Sequence, residues 1–426
     1  MFKEFTVGAA AGIMKGKTAI DGLELIRDVS IDSRSTKPGD LFFALKGENT
    51  DGHIFAKNAE NNGAFGVVVH RETGCDREII VSDTLNALGE FARVYRNHFD
   101  IKIIGITGTN GKTTVKNLIV AIMKTKYRVF GNKQNFNSLI GLPLTIFNIS
   151  GAEDYMVAEM GTSSPGEIRM LCNIGQPFYA VLTNVGPGHL TGLGSIDEVK
   201  REKLSLIESL PSHGFGVVNE NIGDIKTKKI IYRFSENMLD DVQLNDAGSW
   251  FSFMGERFYT PLLGAGNVSN CLAALVLTSR LGVDVELQKS ALRKMQPEPA
   301  RLEPIRHNGL LIINDTYNAN PVSMRLAIDL AKSIKRQRVF IFGDMLELGK
   351  NSKNYHVEIG EYAREYCDTL LTYGDEAQNF KGKHFTDKNK LVGFLMKNLS
   401  GDELILVKAS RALKFEEIVN DILRRC

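Results

Sequence analysis

Short apolar runs alternate with longer amphipathic stretches along most of the chain, a rhythm that predicts strands separated by helices. Leu41–Leu45, Gly66–His70 and Glu78–Val81 are short, rich in β-branched or aromatic residues and bounded by Gly, Asp or Pro, which predicts three early strands. Leu85, Leu88, Phe91 and Tyr95 then recur at helical spacing behind Ser82 and Asp83, either of which can cap, and this helix is expected to end near Asp100. Ile101–Ile106 reads as a buried strand that runs directly into a Gly-rich turn and an apolar helix, Val115–Met123. Tyr155–Ala158, Tyr179–Thr183 and Gly216–Asn219 predict further central strands, and the interleaved helices make the sheet mostly parallel. Lys228–Tyr259 predicts an antiparallel flank and Asn267–Leu281 a strongly apolar helix. Gln296-Pro297-Glu298-Pro299 cannot be helical and predicts a linker. Beyond it, Leu310–Ile313, Val339–Phe342, Thr369–Thr372 and Leu404–Val407 predict strands, with helices near 321–334, 355–366, 388–398 and 413–424 between them. Four βα units suit a doubly wound, Rossmann-like domain. The expected fold is α/β in three domains: a small α/β domain over 1–99, a central domain with a mostly parallel sheet over 100–298, and a Rossmann-like domain over 299–426.

Composition narrows the functional classes. A chain of 426 residues is too long for one core. Its 52 Lys and Arg against 50 Asp and Glu give a net charge of +2, which excludes a generic polyanion binder and removes nucleic acid from the expected partners. With 43% apolar and 24% charged residues, disorder is not the main theme. Five dispersed cysteines (Cys75, Cys172, Cys271, Cys367, Cys426) without a CxxC make neither a disulfide framework nor a zinc site. There is no 18-residue apolar run, and Met1-Phe2-Lys3-Glu4 lacks the basic-then-apolar shape of a signal peptide. The expectation is a cytoplasmic, soluble chain with no stable membrane insertion.

Chemistry enters at Thr107-Gly108-Thr109-Asn110-Gly111-Lys112-Thr113-Thr114, between a strand and a helix. Glycines let backbone N–H groups turn toward phosphate oxygens, and the helix N-terminus adds partial positive charge. Lys112 can reach the β- and γ-phosphates and the Thr113 hydroxyl can ligate Mg²⁺. Gly108, Thr109, Asn110, Gly111, Lys112, Thr113 and Thr114 are therefore candidate ATP contacts. The loop is shorter than the general motif, since Ile106 stands where that motif has its first Gly. No GxGxxG follows any C-terminal strand, so dinucleotide binding has little support.

Several ordered segments, taken with this loop, resemble the Mur ligase family of peptidoglycan precursor synthesis, and within it the MurF type, the UDP-N-acetylmuramoyl-tripeptide–D-alanyl-D-alanine ligases. They are Asp32-Ser33-Arg34 with Lys37–Gly47 and Asp51-Gly52-His53; Asn135-Phe136-Asn137 with Gly141–Thr145; Glu159-Met160-Gly161 and Gly166-Glu167-Ile168; and Asn184–Leu190. Asp315-Thr316-Tyr317-Asn318-Ala319-Asn320-Pro321 and Gly343–Gly349 are similar to segments specific to that branch. The chain departs from the branch at Ser138, Gly266, Asn314 and Ala409, and at Leu204-Ser205 after Lys203.

The resemblance implies ATP-dependent amide formation through an acyl phosphate, with UDP-N-acetylmuramoyl-tripeptide and D-alanyl-D-alanine as substrates, two Mg²⁺ ions and a monomeric chain. It implies a catalytic set of Lys112, Glu159, His189, Lys203 and Arg301. Thr113, Glu159, His189 and Lys203 are the implied metal ligands, Lys203 as a carbamate. Asn267, Asn270, Arg301, Asp315 and Asn318 are the implied further ATP contacts, with closure about 296–300; Ser33, Arg34, Asn135 and Asn137 are the implied substrate contacts. On residue type alone, Glu159 reads as a solvated strand end, His189 as a loop histidine, Lys203 as part of a solvated helix face, and the Asn267/Asn270 pair as a cap plus a buried amide. The alternatives are a third-amino-acid-adding Mur ligase, a folylpolyglutamate synthase type, and, in a different class, a non-catalytic nucleotide-binding switch. Tyr317–Asn320 argues against the first two, and the combination of Glu159, His189 and Lys203 against the third.

Overall fold

A computed structural model describes residues 5–20, 22–47, 50–133 and 136–425. Three principal sheets follow one another along the chain. The first has five strands, in the order Lys17–Thr18, Glu78–Ile80, Gly66–Val69, Asp40–Phe43, Asp28–Ser30, all parallel except the first. Helix α1 (Thr84–Arg96), capped by Asp83 Oδ1 on Asn86 N at 2.7 Å, buries Leu88, Phe91 and Tyr95. It stops four residues before Asp100, where Asn97 closes its last turn.

The central sheet is built from β1 (Lys102–Thr107), β2 (Val129–Gly131), β3 (Tyr155–Glu159), β4 (Tyr179–Leu182), β5 (Phe215–Asn219) and β6 (Ile230–Phe234). Its order is β6-β5-β4-β1-β3-β2, parallel throughout. The near-continuous apolar composition of β1, β3 and β4 is what a parallel sheet covered on both faces requires. Helices α2 (Lys112–Met123), α3 (Glu167–Gly175), α4 (Ile196–Glu208) and α5 (Ala265–Arg280) supply much of that cover.

The region 228–259, expected as an antiparallel flank, divides in two. Its first part is β6, in parallel register with β5; only 239–260 forms the antiparallel three-stranded sheet. Apolar periodicity does not distinguish the two, because the direction of pairing is a tertiary choice. Helix α2 begins at Lys112, three residues before the apolar stretch that predicted it. Gly111 in the left-handed region (φ 80°) supplies a sharp entry that the polar Lys-Thr-Thr turn then continues.

The third sheet contains β7 (Glu303–His307), β8 (Leu310–Asp315), β9 (Arg338–Gly343), β10 (Thr369–Tyr373), β11 (Lys383–Phe385) and β12 (Leu404–Lys408), in the order β7-β8-β12-β9-β10-β11. β7 is an antiparallel edge; the other pairs are parallel. The strand expectations missed β7 and β11, which are short, polar edge strands. Helix α6 (Pro321–Ser333) starts with a full capping box, Asn320 Oδ1 accepting from Ser323 N at 2.9 Å and Ser323 Oγ from Asn320 N at 3.0 Å. The final helix starts at Glu416 rather than near 413, because Arg411–Leu413 is a 3₁₀ turn closed by left-handed Lys414 (φ 49°).

The first and central sheets share one continuous core. Phe5, Leu41, Leu88, Phe91 and Tyr95 pack in the same cluster as Ile103, Leu142, Ile146, Leu171 and Leu206. Tyr95, fully buried, donates its hydroxyl across this junction to Ile149 O at 2.7 Å. Tyr95→Phe removes that donor from a buried carbonyl and should cost about 1–3 kcal/mol. Urea unfolding followed by Trp250 fluorescence and by circular dichroism should show both signals shifted together; an unchanged midpoint would show that the hydroxyl bond contributes nothing.

Candidate active site

A cavity of about 730 Å³ opens between the central and third sheets. It lies where loops leave the carboxyl ends of β1, β3, β4 and β8, the position at which open α/β sheets take ligands. Of the candidate residues, Thr109, Asn110, Gly111, Lys112, Thr113, Thr114, Asn137, Glu159, His189, Asn267, Asn270, Arg301, Asp315 and Asn318 line it. Gly108 lies one residue outside that lining, and Lys203 is buried behind it.

The phosphate loop is held from β4 and from α5. Thr183 Oγ1 donates to Asn110 O at 2.6 Å, Asn184 Oδ1 accepts from Asn110 N at 2.9 Å, and Thr109 Oγ1 accepts from Gly186 N at 3.0 Å. Two glycines are sterically required. A Cβ at Gly108 (φ 155°) would lie 1.9 Å from Thr183 Oγ1, and one at Gly111 would lie 2.3 Å from Asn270 Oδ1. Asn270 therefore sits directly on the loop, and it donates to Asn267 Oδ1 at 3.1 Å. Lys112 Nζ turns back onto its own loop, donating to Gly108 O at 2.9 Å and Thr109 O at 3.2 Å. Burial lowers the pKa of this ammonium; nearby Glu159 opposes the shift and Arg301 adds to it.

Glu159 is the last residue of β3 and is buried, not a solvated strand end. Its Oε2 accepts from Thr113 Oγ1 at 2.7 Å and its Oε1 from Asn137 Nδ2 at 2.9 Å. Asn132 fixes its backbone from both sides, donating to Glu159 O at 3.0 Å and accepting from Glu159 N at 2.9 Å. Buried Lys116 in turn donates to Asn132 O at 2.8 Å. Sequence reasoning did not single out Lys116 or Asn132; a lysine among the apolar positions of α2 was the available signal. Asn135 lies outside the described residues.

Arg301 sits between two non-glycine residues in the left-handed region, Ala300 (φ 59°) and Leu302 (φ 48°). Strained backbone of this kind persists where its surroundings hold it. Here Tyr317 N donates to Ala300 O at 3.0 Å and Leu302 N to Asp315 Oδ1 at 3.1 Å. The guanidinium stacks 3.7 Å from the Tyr317 ring centroid and donates to Thr113 Oγ1 at 3.2 Å, so a side chain of the third domain reaches the phosphate loop. Asp315 pairs with buried Lys408 at 2.5 Å, and Lys408 also donates to Asn318 O at 2.9 Å. At the departure Gly266, a Cβ would meet Leu326 of α6 at 3.1 Å, so the third domain packs into the space a side chain would need.

Two more contacts cross between the same domains, and a third ties α2 to the segment that leads into the third domain. Asn110 and Asn320 exchange amide hydrogen bonds of 3.2 and 2.7 Å. His189 Nδ1 lies 2.6 Å from Glu347 Oε2. Asn117 donates to Glu298. Asn320 and Glu347 belong to the family-like segments but carried no assigned role.

Lys203 lies on the buried face of α4 with Val199 and Leu206, only 2% exposed, contrary to a solvated helix face. Its pKa is brought down to about 7, first by burial and then by Lys112. His189 is also lowered by burial, with Glu347 opposing and Lys112 and Lys203 adding. Glu202, adjacent to Lys203, is itself buried and accepts from Gly166 N and Ile168 N, both at 2.7 Å, tying the start of α3 to α4. Among the described residues, no cluster of three or more His, Cys, Asp or Glu could hold a metal by itself. Thr113 and Glu159 nevertheless bring two hard oxygens together, the donor type Mg²⁺ takes.

In the first domain, Ser33 is buried and its carbonyl accepts from Asn62 at 2.8 Å. Arg34 is exposed and forks onto Asp32 at 2.9 and 2.7 Å, holding that carboxyl down at about 2. Both flank a second, open cavity of about 650 Å³, lined by Asp28, Ser30, Asp32, Ser35, Lys37 and Asp40 among others. Neither is part of its lining.

The chain matches three domain families: Mur ligase family, catalytic domain, over 25–96; Mur ligase middle domain over 106–278; and Mur ligase, glutamate ligase domain, over 300–411. It is 35% identical to the UDP-N-acetylmuramoyl-tripeptide–D-alanyl-D-alanine ligase of Bacillus subtilis, covering 98% of both chains, and 32% identical to that of Escherichia coli, covering 97% of both. Among solved structures it is similar to MurF from Acinetobacter baumannii (TM-score 0.94, 27% identity, 99% of both chains). It is also similar to MurF ligase from Thermotoga maritima in complex with ADP (TM-score 0.88, 29% identity, 94% of this chain and 97% of the other).

Burial of Lys203 has a measurable consequence. A lysine whose folded pKa is near 7 against 10.5 in the unfolded chain destabilises the fold. The cost is fully present below about pH 7 and fades as pH rises toward 10.5. Lys203→Met should therefore unfold at higher urea than the wild type at pH 7, by the equivalent of several kcal/mol. The gap should narrow steadily toward pH 10. A gap that is constant with pH would contradict the buried-amine account.

Proposed function

This chain belongs to the Mur ligase family, in its UDP-N-acetylmuramoyl-tripeptide–D-alanyl-D-alanine ligase branch, and from that premise we propose that it joins D-alanyl-D-alanine to UDP-N-acetylmuramoyl-tripeptide. The product is the UDP-muramoyl-pentapeptide of peptidoglycan synthesis, and ATP goes to ADP and phosphate. The observation that carries the reading is the cavity between two domains, in which the phosphate loop, Glu159, Arg301 and Asp315 converge.

The γ-phosphoryl group passes to the terminal carboxylate of the tripeptide and ADP leaves. The dipeptide amine then attacks the acyl carbon, phosphate departs and the nitrogen gives up its extra protons. Both steps bring anions or dipoles together, so the main catalytic demand is counter-charge held in place beforehand. Backbone N–H groups of Gly108–Thr114 receive the phosphates; Lys112 and Arg301 neutralise them from opposite domains. Asp315 takes the ribose, Asn318 is a further ATP contact, and Asn267 with Asn270 flanks the adenine and γ-phosphate side. Thr113 and Glu159 are the proposed ligands of one Mg²⁺, and His189 with Lys203 of a second. Bound there, the metal adds positive charge at the phosphate oxygens. Ser33 and Arg34, beside the first-domain cavity, are proposed to bind the UDP-muramoyl part, with Asn135 and Asn137 nearer the reacting end. The proposed division is 1–99, 100–298 and 299–426, in a monomeric cytoplasmic chain; no helix among the described residues is long and apolar enough to cross a membrane.

Lys203 is proposed to act as a carbamate. Its burial favours the neutral amine near pH 7, which is the form that adds to CO₂. The nitrogen bonds to the CO₂ carbon and loses one proton, giving an anionic oxygen ligand in place of a cation.

A coupled phosphate assay tests the reaction: release should require ATP, UDP-muramoyl-tripeptide and D-alanyl-D-alanine together, and should not occur when a UDP-muramoyl-dipeptide replaces the tripeptide. Lys203→Ala should be nearly inactive and partly restored by formate or acetate at fixed ionic strength. Half-buried Lys200 should tolerate alanine. A fully active Lys203→Ala enzyme would refute the carbamate.

A further inference from the structure

We propose that Glu347 is the residue that receives the α-ammonium group of the incoming dipeptide, and so determines that the second substrate is a free amine. The inference rests on the ligase reading above and goes beyond it, because that reading leaves the second substrate without a binding residue. A dipeptide at neutral pH carries a cationic amine, which has to be brought to the acyl phosphate without being repelled by the surrounding cations. Lys112 and Arg301 line the same cavity as His189 and Glu347. An anionic acceptor in that cavity offsets their repulsion of the incoming ammonium.

Five carboxylates line the cavity: Glu159, Glu167, Glu236, Asp315 and Glu347. Three are committed elsewhere. Glu159 accepts from Thr113 and Asn137, Glu167 from Ser163 N and Ser164 N, and Asp315 from Lys408 and Leu302 N. Glu236 follows β6, two strands away from β4, which leads into His189; at the usual strand spacing that is about 10 Å. Glu347 alone combines proximity with availability. Its carboxylate is 2.6 Å from the His189 imidazole and 58% exposed, and among the described residues it has no other partner.

The turn that presents it is also prearranged. Met345 N donates to His356 Nε2 at 3.0 Å, Leu346 N to Ser410 Oγ at 2.8 Å, and Thr191 N, from the central domain, to Glu347 O at 3.3 Å. Glu347 itself is in the left-handed region (φ 63°), as is His189 (φ 55°), so two conformations rare for residues with side chains face one another across the domain gap. A backbone held this firmly beneath a nearly unpartnered carboxylate is the arrangement expected of a ligand-receiving group.

Steady-state kinetics of Glu347→Gln, which keeps the shape and removes the charge, test the assignment. The KM for D-alanyl-D-alanine should rise at least about tenfold, the loss expected for a charge-assisted hydrogen bond, while KM for ATP and for UDP-muramoyl-tripeptide stays within about twofold. Hydroxylamine should still trap the acyl phosphate without dipeptide. D-Lactoyl-D-alanine, which has a hydroxyl in place of the ammonium, should inhibit the wild type at concentrations at least about tenfold above the dipeptide KM, and that gap should close in Glu347→Gln. An unchanged dipeptide KM, a parallel rise in all three KM values, or an undiminished preference for ammonium over hydroxyl would overturn the proposal. If the wild type releases no phosphate with the dipeptide, the ligase reading itself fails, and this assignment with it.

Discussion

Asn110 and Asn320 exchange two hydrogen bonds across the gap between the central and third sheets, and much of the site depends on that exchange. Asn110 belongs to the phosphate loop, whose backbone is fixed by Thr183 and Asn184. Asn320 is the N-cap of α6, so the amide that reaches across is the same one that starts the helix. The pair therefore joins two rigid elements, not two loose surface side chains. With it in place, Arg301 reaches Thr113 and Glu347 reaches His189. Lys112 stands on one side of the cavity and Arg301 on the other, so the counter-charge proposed for phosphoryl transfer is divided between the two sides.

The same logic explains where strain and burial are concentrated. Ala300, Leu302, His189 and Glu347 all hold left-handed backbone, and all lie at the junction of the two domains. Lys203 and Glu202 are buried side by side on α4, Lys203 with its pKa brought down by burial and Glu202 accepting from backbone N–H groups at the start of α3. Such features lower stability, and they persist because the packed sheets around them over-determine the geometry. The first domain is tied in differently. Its helix α1 shares an apolar core with the central sheet, so that junction is set by packing, whereas the junction between the central and third sheets combines apolar packing of Leu263 and Leu326 with the polar contacts across the cavity.

Much of this was legible in the sequence, and the limits have physical causes. Parallel strands buried on both faces are continuous apolar runs, so β1, β3, β4, β8, β9, β10 and β12 could be located to within a residue or two. Edge strands such as β7 and β11 bury one side at most, and their polar composition hid them. The phosphate loop was visible because its glycines answer local steric demands. Lys203 was visible only by its place in a family-like segment, since a charged run gives no sign of which residue turns inward. Lys116, Asn132, Glu202 and Glu347 act through partners 16 to 158 positions away, and spacing along one chain carries no signal for such pairs.

A double-mutant cycle on Asn110 and Asn320 tests the central claim, that ATP turnover depends on this interdomain exchange. Asn320→Asp keeps the oxygen that caps α6 and removes the donor to Asn110; Asn110→Ala removes the partner. The quantity to measure is kcat/KM for ATP in the wild type, both single variants and the double variant. The account predicts that each single change lowers it and that Asn320→Asp costs little more once Asn110 is alanine, a coupling of about 1 kcal/mol or more. Additive losses, or single variants that turn over ATP as the wild type does, would contradict it.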